Sequence, residues 1–316
     1  MFDPDSAPWT ARVILCVTLN AALDVTYRVD EVRWHAGNRV DAVAHRAGGK
    51  GVNVARVLHA LGEEVLVTGL VGGDTGAQIR ADVRAAGITD EFQDVAGESR
   101  RTVAVVDAAA GDATGFWEPG PAVTADDWAR FLDRYDRLLA RASAVVLTGS
   151  LPPGLPPEVY ADLARRAREA GVPVVLDADA EALAVGVSAG PDIVKPNVDE
   201  LRRATGLADH LAGADALRTR GARAVVVSAG ADGLVASTPD GRWAARPHAR
   251  VAGNPTGAGD ASVAALVRGL VADTSWPERL ADAVALSASA VLRPLAGDVD
   301  LAAYHRFRAT VSIEEI

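Results

Sequence analysis

The run Asn254-Pro255-Thr256-Gly257-Ala258-Gly259-Asp260 combines a tight turn, a helix start and a lone acid. Gly257 and Gly259 let the backbone turn sharply, and Ala261 to Leu270 has the alanine, leucine and valine content of a buried helix. The N–H groups of residues 257 to 260 are then expected to project from a helix N-terminus, where unpaired donors and the helix dipole bind anions. A carboxylate placed beside a bound phosphate is best used to take the proton of an attacking hydroxyl. The plainer alternative is that Asp260 caps the helix.

Of the 32 Lys plus Arg, only Lys50 and Lys195 are lysines. The chain uses Arg wherever any cation will serve, so the two lysines point to sites where a compact charge on a flexible stem is needed and a planar fork will not fit. Lys50 stands in Gly48-Gly49-Lys50-Gly51-Val52-Asn53 ahead of a predicted helix, either a loop that a ligand approaches closely or a plain glycine turn capped by Asn53. It is not a Walker A loop, because Gly51 follows the lysine where Ser or Thr is required. Lys195 stands in Lys195-Pro196-Asn197, and Asn197 and Glu200 share a helical face. An amide and a carboxylate there suit hydrated Mg²⁺; they equally suit a helix cap with a reciprocal Glu.

Four further strings carry polar groups at strand ends. Leu19 to Asp24 ends in a carboxylate that can hold sugar hydroxyls or close a turn. Arg100 and Arg101 precede a strand and can pair with phosphate or remain solvated charges. Ser150, in Thr148-Gly149-Ser150-Leu151-Pro152-Pro153-Gly154, lies at a strand's C-terminal rim without the G-x-S-x-G of a hydrolase elbow. Ser228-Ala229-Gly230-Ala231-Asp232-Gly233 is a glycine loop after a strand, suited to nucleotide phosphates. Gly69 to Gly76 has the wrong glycine spacing for a dinucleotide loop.

The elements that must position these residues alternate. Strands are expected at Arg12 to Leu19, 25 to 29, 40 to 46, 64 to 70, 91 to 96, 101 to 107, 113 to 118, 144 to 148, 172 to 177, 193 to 195 and 222 to 228. Helices are expected at 51 to 61, 76 to 86, 126 to 141, 157 to 170, 198 to 204 and 211 to 220. A hairpin at 233 to 246 precedes helices to the end. This is an α/β pattern: a mainly parallel sheet covered by helices on both faces, with ligands beyond the C-terminal strand ends. The short strands within 25–46 and 91–118 do not fit that layer and are expected to form a small β-sheet lid on a single domain spanning 1–316. The alternating apolar residues of the lid's exposed face suggest a homodimer through paired lids.

Composition narrows the function. A 49% apolar chain of 316 residues can bury one large core, and a formal charge of −10 with no basic block argues against nucleic acid as partner. Cys16 is alone, the six histidines show no metal-ligand spacing, and no apolar run approaches the roughly 18 to 20 residues of a membrane span. The acidic, proline-bearing residues 1–11 do not read as a signal peptide, so a cytoplasmic protein is expected.

In this order the strings resemble the ribokinase-like, or PfkB, family of carbohydrate kinases, from Val13 to about residue 300. One family signature corresponds to Gly48 to Ala55, continuing through Gly62 and Gly72, and the other to Asn254 to Ala264. Thr18 to Asp24, Ser150 to Gly154 and Val194 to Leu201 are similar to the 1-phosphofructokinase and tagatose-6-phosphate kinase branch. Ala21 stands where that branch usually has proline, and Asn254-Pro255-Thr256 departs from its serine- or threonine-rich lead-in. The resemblance implies a ribokinase-like fold with Asp260 as catalytic base and Gly257, Ala258 and Gly259 as anion hole. It implies Ser228, Gly230, Gly233, Lys195 and Asn197 around ATP, with Asn197 and Glu200 acting on Mg²⁺ through water. It places Asp24, Gly49, Lys50, Asn53 and Ser150 on the sugar, with Arg100 on its phosphate. The expected reaction is phosphorylation of fructose 1-phosphate to the 1,6-bisphosphate. The alternatives are tagatose 6-phosphate or fructose 6-phosphate, then ribose or a nucleoside, then a catalytically silent nucleotide-binding regulator.

Overall fold

The computed structural model describes residues 13–316, so residues 1–11 and the Arg12 start of the first expected strand lie outside the described residues. Its main sheet has 11 strands. The strands Val13–Thr18, Val65–Val71, Ala142–Gly149, Val174–Ala178, Ile193–Val194 and Ala224–Ser228 run parallel through its middle. They are rich in Val, Leu and Ala and buried along nearly their whole length, as strands covered on both faces must be. Alternation along Val13–Thr18 divides the core in two: Ile14 and Cys16 pack with helices Lys50–Ala60, Ala258–Val271 and Trp276–Val291, while Leu15 and Val17 face Phe131, Tyr135 and Tyr160. Because the strands are parallel, Thr18, Gly149, Ala178, Val194 and Ser228 end at one rim.

A separate sheet of four strands has the order Ala42–Gly48, Ala22–Val29, Arg100–Asp107, Asp112–Trp117. This is the small sheet expected from the sequence, with one correction: residues 91–99 are not part of it. Gln93–Asp94 pairs with Leu70 and Val71 at the edge of the main sheet instead. The reason is packing, since Phe92 and Val95 on either side are buried against the main core. Two further elements differ. Ala180–Gly186 is a helix. The chain closes not on helix but on strand Ser312–Glu315, which pairs antiparallel with Trp243–Arg246 and covers an edge that would otherwise stay open. Among the described residues no helix is long and apolar enough to cross a membrane.

Candidate active site

A cavity of about 1030 Å³ opens where the C-terminal strand rim, the start of helix Ala258–Val271 and the small sheet converge. Asp24, Gly49, Lys50, Asn53, Arg100 and Ser150 line one end of it. Asn197, Ser228, Gly230 and Gly233 line the other, and Lys195, Glu200, Gly257, Ala258, Gly259 and Asp260 lie between them, where the Lys50 ammonium also reaches. Arg101 is turned away, its backbone N–H and its guanidinium both on Glu118.

The glycine turn ends in Gly257, whose φ of 86° favours glycine and whose added Cβ would stand 2.9 Å from Ala296 Cα. The N–H of Ala258 donates to Pro255 O at 3.2 Å. Of the three expected anion-hole donors, Gly257 and Gly259 therefore remain unpaired among the described residues and Ala258 does not. Asp260 does not cap the helix: Gly257 is the N-cap and makes no side-chain cap bond. The carboxylate turns inward, 7% exposed, and accepts a hydrogen bond from Asn53 Nδ2 at 2.8 Å. Asn53 accordingly does not cap its own helix either, whose N-cap is Gly49. Burial pushes the Asp260 carboxyl up to about 6; the Asn53 bond, Lys50 and Lys195 oppose this, and Asp177 adds to it.

The two lysines meet on one acid. Lys50 Nζ lies 3.4 Å from Asp177 Oδ1 and 3.7 Å from Glu200 Oε1, and Lys195 Nζ lies 3.6 Å from Asp177 Oδ2. Asp177 is 2% exposed and Lys195 3%, so the pairing is what makes their burial tolerable. Asp177, followed by Glu200 and Asp260, holds the Lys50 ammonium charged against the cost of burial. A Cβ added to Gly259 would stand 3.6 Å from Lys195 Nζ, which puts that ammonium against the anion-binding turn. Asp177 was absent from the residues singled out in the sequence. The signal was there, since it closes a predicted strand at the rim where ligands gather.

Asn197 and Glu200 form the reciprocal cap: Asn197 Oδ1 accepts from the Glu200 N–H and Glu200 Oε2 from the Asn197 N–H, both at 2.8 Å. Glu200 Oε1 is left over and faces Lys50. Among the described residues no group of three or more His, Cys, Asp or Glu could hold a metal ion directly. Beyond Ser228 to Gly233, this end of the cavity is walled by Val251, Val284, Ala288 and Val291, an apolar slot suited to a flat aromatic base.

At the other end Asp24 lies over Gly48, where an added Cβ would fall 2.0 Å from its Oδ2; only glycine leaves room for the carboxylate. Burial pushes Asp24 up to about 6, against the pull of Arg100. Arg100 Nε donates to Asn20 O at 3.0 Å, and Asn20 Nδ2 donates to Ser150 Oγ at 3.2 Å. Among the described residues, the side-chain oxygens of Asn20 and Asn53 are buried with no partner. An unpartnered buried acceptor costs about 1 to 3 kcal/mol, so these two are placed for donors that arrive with a ligand. Asn20, Thr102 and Trp117 also line this end and were not singled out individually from the sequence.

The pfkB family carbohydrate kinase model matches residues 15–302. Phosphofructokinase-2 from Escherichia coli in its tetrameric inhibited form superposes with a TM-score of 0.88 at 25% identity, covering 95% of this chain and 99% of that one. The same protein in complex with fructose-6-phosphate gives 0.86 at 25%, with the same coverage. A Thermotoga maritima protein described as a possible 1-phosphofructokinase gives 0.85 at 28%, covering 96% of this chain and 99% of that one.

Proposed function

The chain belongs to the pfkB family of carbohydrate kinases, and from that premise we propose that it transfers the γ-phosphoryl group of ATP to a ketohexose phosphate, fructose 1-phosphate first. The observation that carries this reading is the buried, inward-turned carboxylate of Asp260 beside unpaired N–H donors and both lysines, in one cavity with Asp24 and Arg100. The acceptor lies between Asp24, Asn53 and Ser150, with its phosphate on Arg100 and its free primary hydroxyl at Asp260. Its hydroxyls supply the donors that the Asn20 and Asn53 oxygens lack.

ATP lies with its base in the apolar slot and its phosphates along Ser228, Gly230, Gly233 and Asn197 toward the turn. Asp260 takes the proton of the attacking hydroxyl as the new O–P bond forms and the bond to the ADP oxygen breaks. Lys50, Lys195 and the N–H groups of Gly257 and Gly259 balance the charge that gathers on the phosphoryl oxygens. Mg²⁺, when bound, neutralises and orients the phosphates. The residues fit a hydrated ion: Glu200 Oε1 is the acid oxygen left over once the cap is made, and it would hold such an ion through one of its waters. The small sheet is the lid, formed from residues 22–48 and 100–117 of a single kinase domain, and it excludes water that would otherwise take the phosphoryl group. A cytoplasmic setting fits the lone, buried Cys16.

The structural neighbours include a protein solved with fructose-6-phosphate and one described as a possible 1-phosphofructokinase. The two hexose monophosphates are related through the near symmetry of the furanose ring, so an acceptor site with Arg100 at one side and Asp260 at the other admits them in opposite orientations. Ring hydroxyls at Asp24 and Asn53 must then discriminate, which hydrogen-bonding sites do strongly. A coupled ADP-release panel of fructose 1-phosphate, tagatose 6-phosphate, fructose 6-phosphate, ribose and free fructose tests this. The highest kcat/KM is expected for fructose 1-phosphate; a value tenfold or more below any other member would overturn the substrate assignment and leave the kinase intact.

A further inference from the structure

Register in the small sheet sets four side chains in one row. Trp117 pairs with Thr102, Thr102 with Asp24, and Asp24 with Arg46. Register partners share a face, and Trp117, Thr102 and Asp24 all line the cavity. Arg46 is held aside: both of its terminal nitrogens donate to the Asp298 carboxylate, at 2.9 and 2.6 Å. Trp117 is 76% exposed, yet its ring has a built seat. A Cβ on Gly115 would stand 3.2 to 3.4 Å from three indole atoms, so the missing side chain is what lets the ring lie along the strand. The opposite side of the ring is open.

We propose that Trp117 is a sugar-contacting residue of the acceptor site, its indole covering the C–H face of the acceptor while Asp24 takes hydroxyls at its edge. The inference rests on the reading of this cavity end as the acceptor site. A sugar has an apolar face and a polar rim, and this row offers a surface for each. A nucleotide base is the other flat ligand of the cavity, but its apolar slot of Val251, Val284, Ala288 and Val291 lies at the opposite end. An aromatic ring that gains a stacked partner contributes to binding in the range of a tenfold change in affinity.

The test compares wild type with Trp117→Ala and Trp117→Phe in steady-state ADP release, using fructose 1-phosphate as acceptor. Trp117→Ala is expected to raise the acceptor KM about tenfold and leave the ATP KM within about twofold, with Trp117→Phe retaining most of the affinity. Adding acceptor alone is expected to change the tryptophan emission of the wild type, with a smaller change in Trp117→Phe. An unchanged acceptor KM overturns the proposal. So does a rise shared equally by ATP, or one that disappears when wild type and variant are compared in the same assembly state by sedimentation. If wild type uses free fructose and none of the phosphorylated ketoses, the substrate reading fails while Trp117 is tested on fructose by the same criteria.

Discussion

Asp260 and Asp24 are the two carboxyls that burial pushes up to about 6, and both face the cavity. A base must be ionised to accept a proton, so kcat/KM for the acceptor is expected to fall as pH drops through about 6. Two groups titrating together give a limb steeper than one proton per pH unit. Stability moves the other way. Carboxyls raised in the folded chain bind protons there before they do in the unfolded chain, so these two groups lower stability above about pH 6 and cease to do so below about pH 4. A pH–rate profile beside a pH–melting series checks both: activity falling between pH 7 and 5 at a constant or rising Tm is the expected result, and activity flat to pH 5 would remove both acids from the mechanism. The types of these residues were legible in the sequence. Their energies were not, because the burial that sets them comes from strands and helices far apart in the chain.

Elements fix the distance between the acceptor and the base. Arg46, on the strand that pairs with Asp24, is tied to Asp298, and the loop before Asp298 packs on the site: Cβ atoms added to Gly297 and Gly257 would stand 3.2 Å from Asn53 Cα and 2.9 Å from Ala296 Cα. The small sheet is thereby braced to the turn that carries Asp260. Asp298→Asn is expected to lower kcat/KM for the acceptor about tenfold with only a small fall in Tm, because the pair is partly exposed and misplacement of reacting groups is costly. Unchanged kinetics would show that the brace is idle. Helix and strand alternation was readable from periodicity. The pairing of Gln93–Asp94 with the main sheet was not, since Phe92 and Val95 show only in three dimensions which core they join. Sequence spacing could not decide what Asn53, Asn197 and Asp260 do at helix starts either. Each can cap, and only Asn197 does.

At the scale of the whole molecule, the small sheet carries small residues beyond the Asp24 row. Ala42, Ala44 and Ala113 are exposed on the same face as that row, while Val43 and Phe116 are exposed on the opposite face. A sheet face so smooth is suited to packing against its copy, and we propose that two chains pair through it. Sedimentation velocity is expected to give about twice 32.7 kDa. Ala44→Glu is expected to shift it to a single chain. A wild type that sediments as one chain at micromolar concentration would contradict the pairing.

All of this converges on whether Asp260 is the base. Asp260→Asn keeps the shape of the side chain and its contact with Asn53, and it removes a buried charge, so the fold and the nucleotide site should persist. Measured side by side, the dissociation constant for ATP is expected to stay within about threefold while kcat at saturating fructose 1-phosphate falls by roughly 10² to 10⁴, the span of a positioned general base. A variant that binds ATP as wild type does and keeps more than about a third of its kcat would take Asp260 out of the mechanism, and the account of this cavity with it.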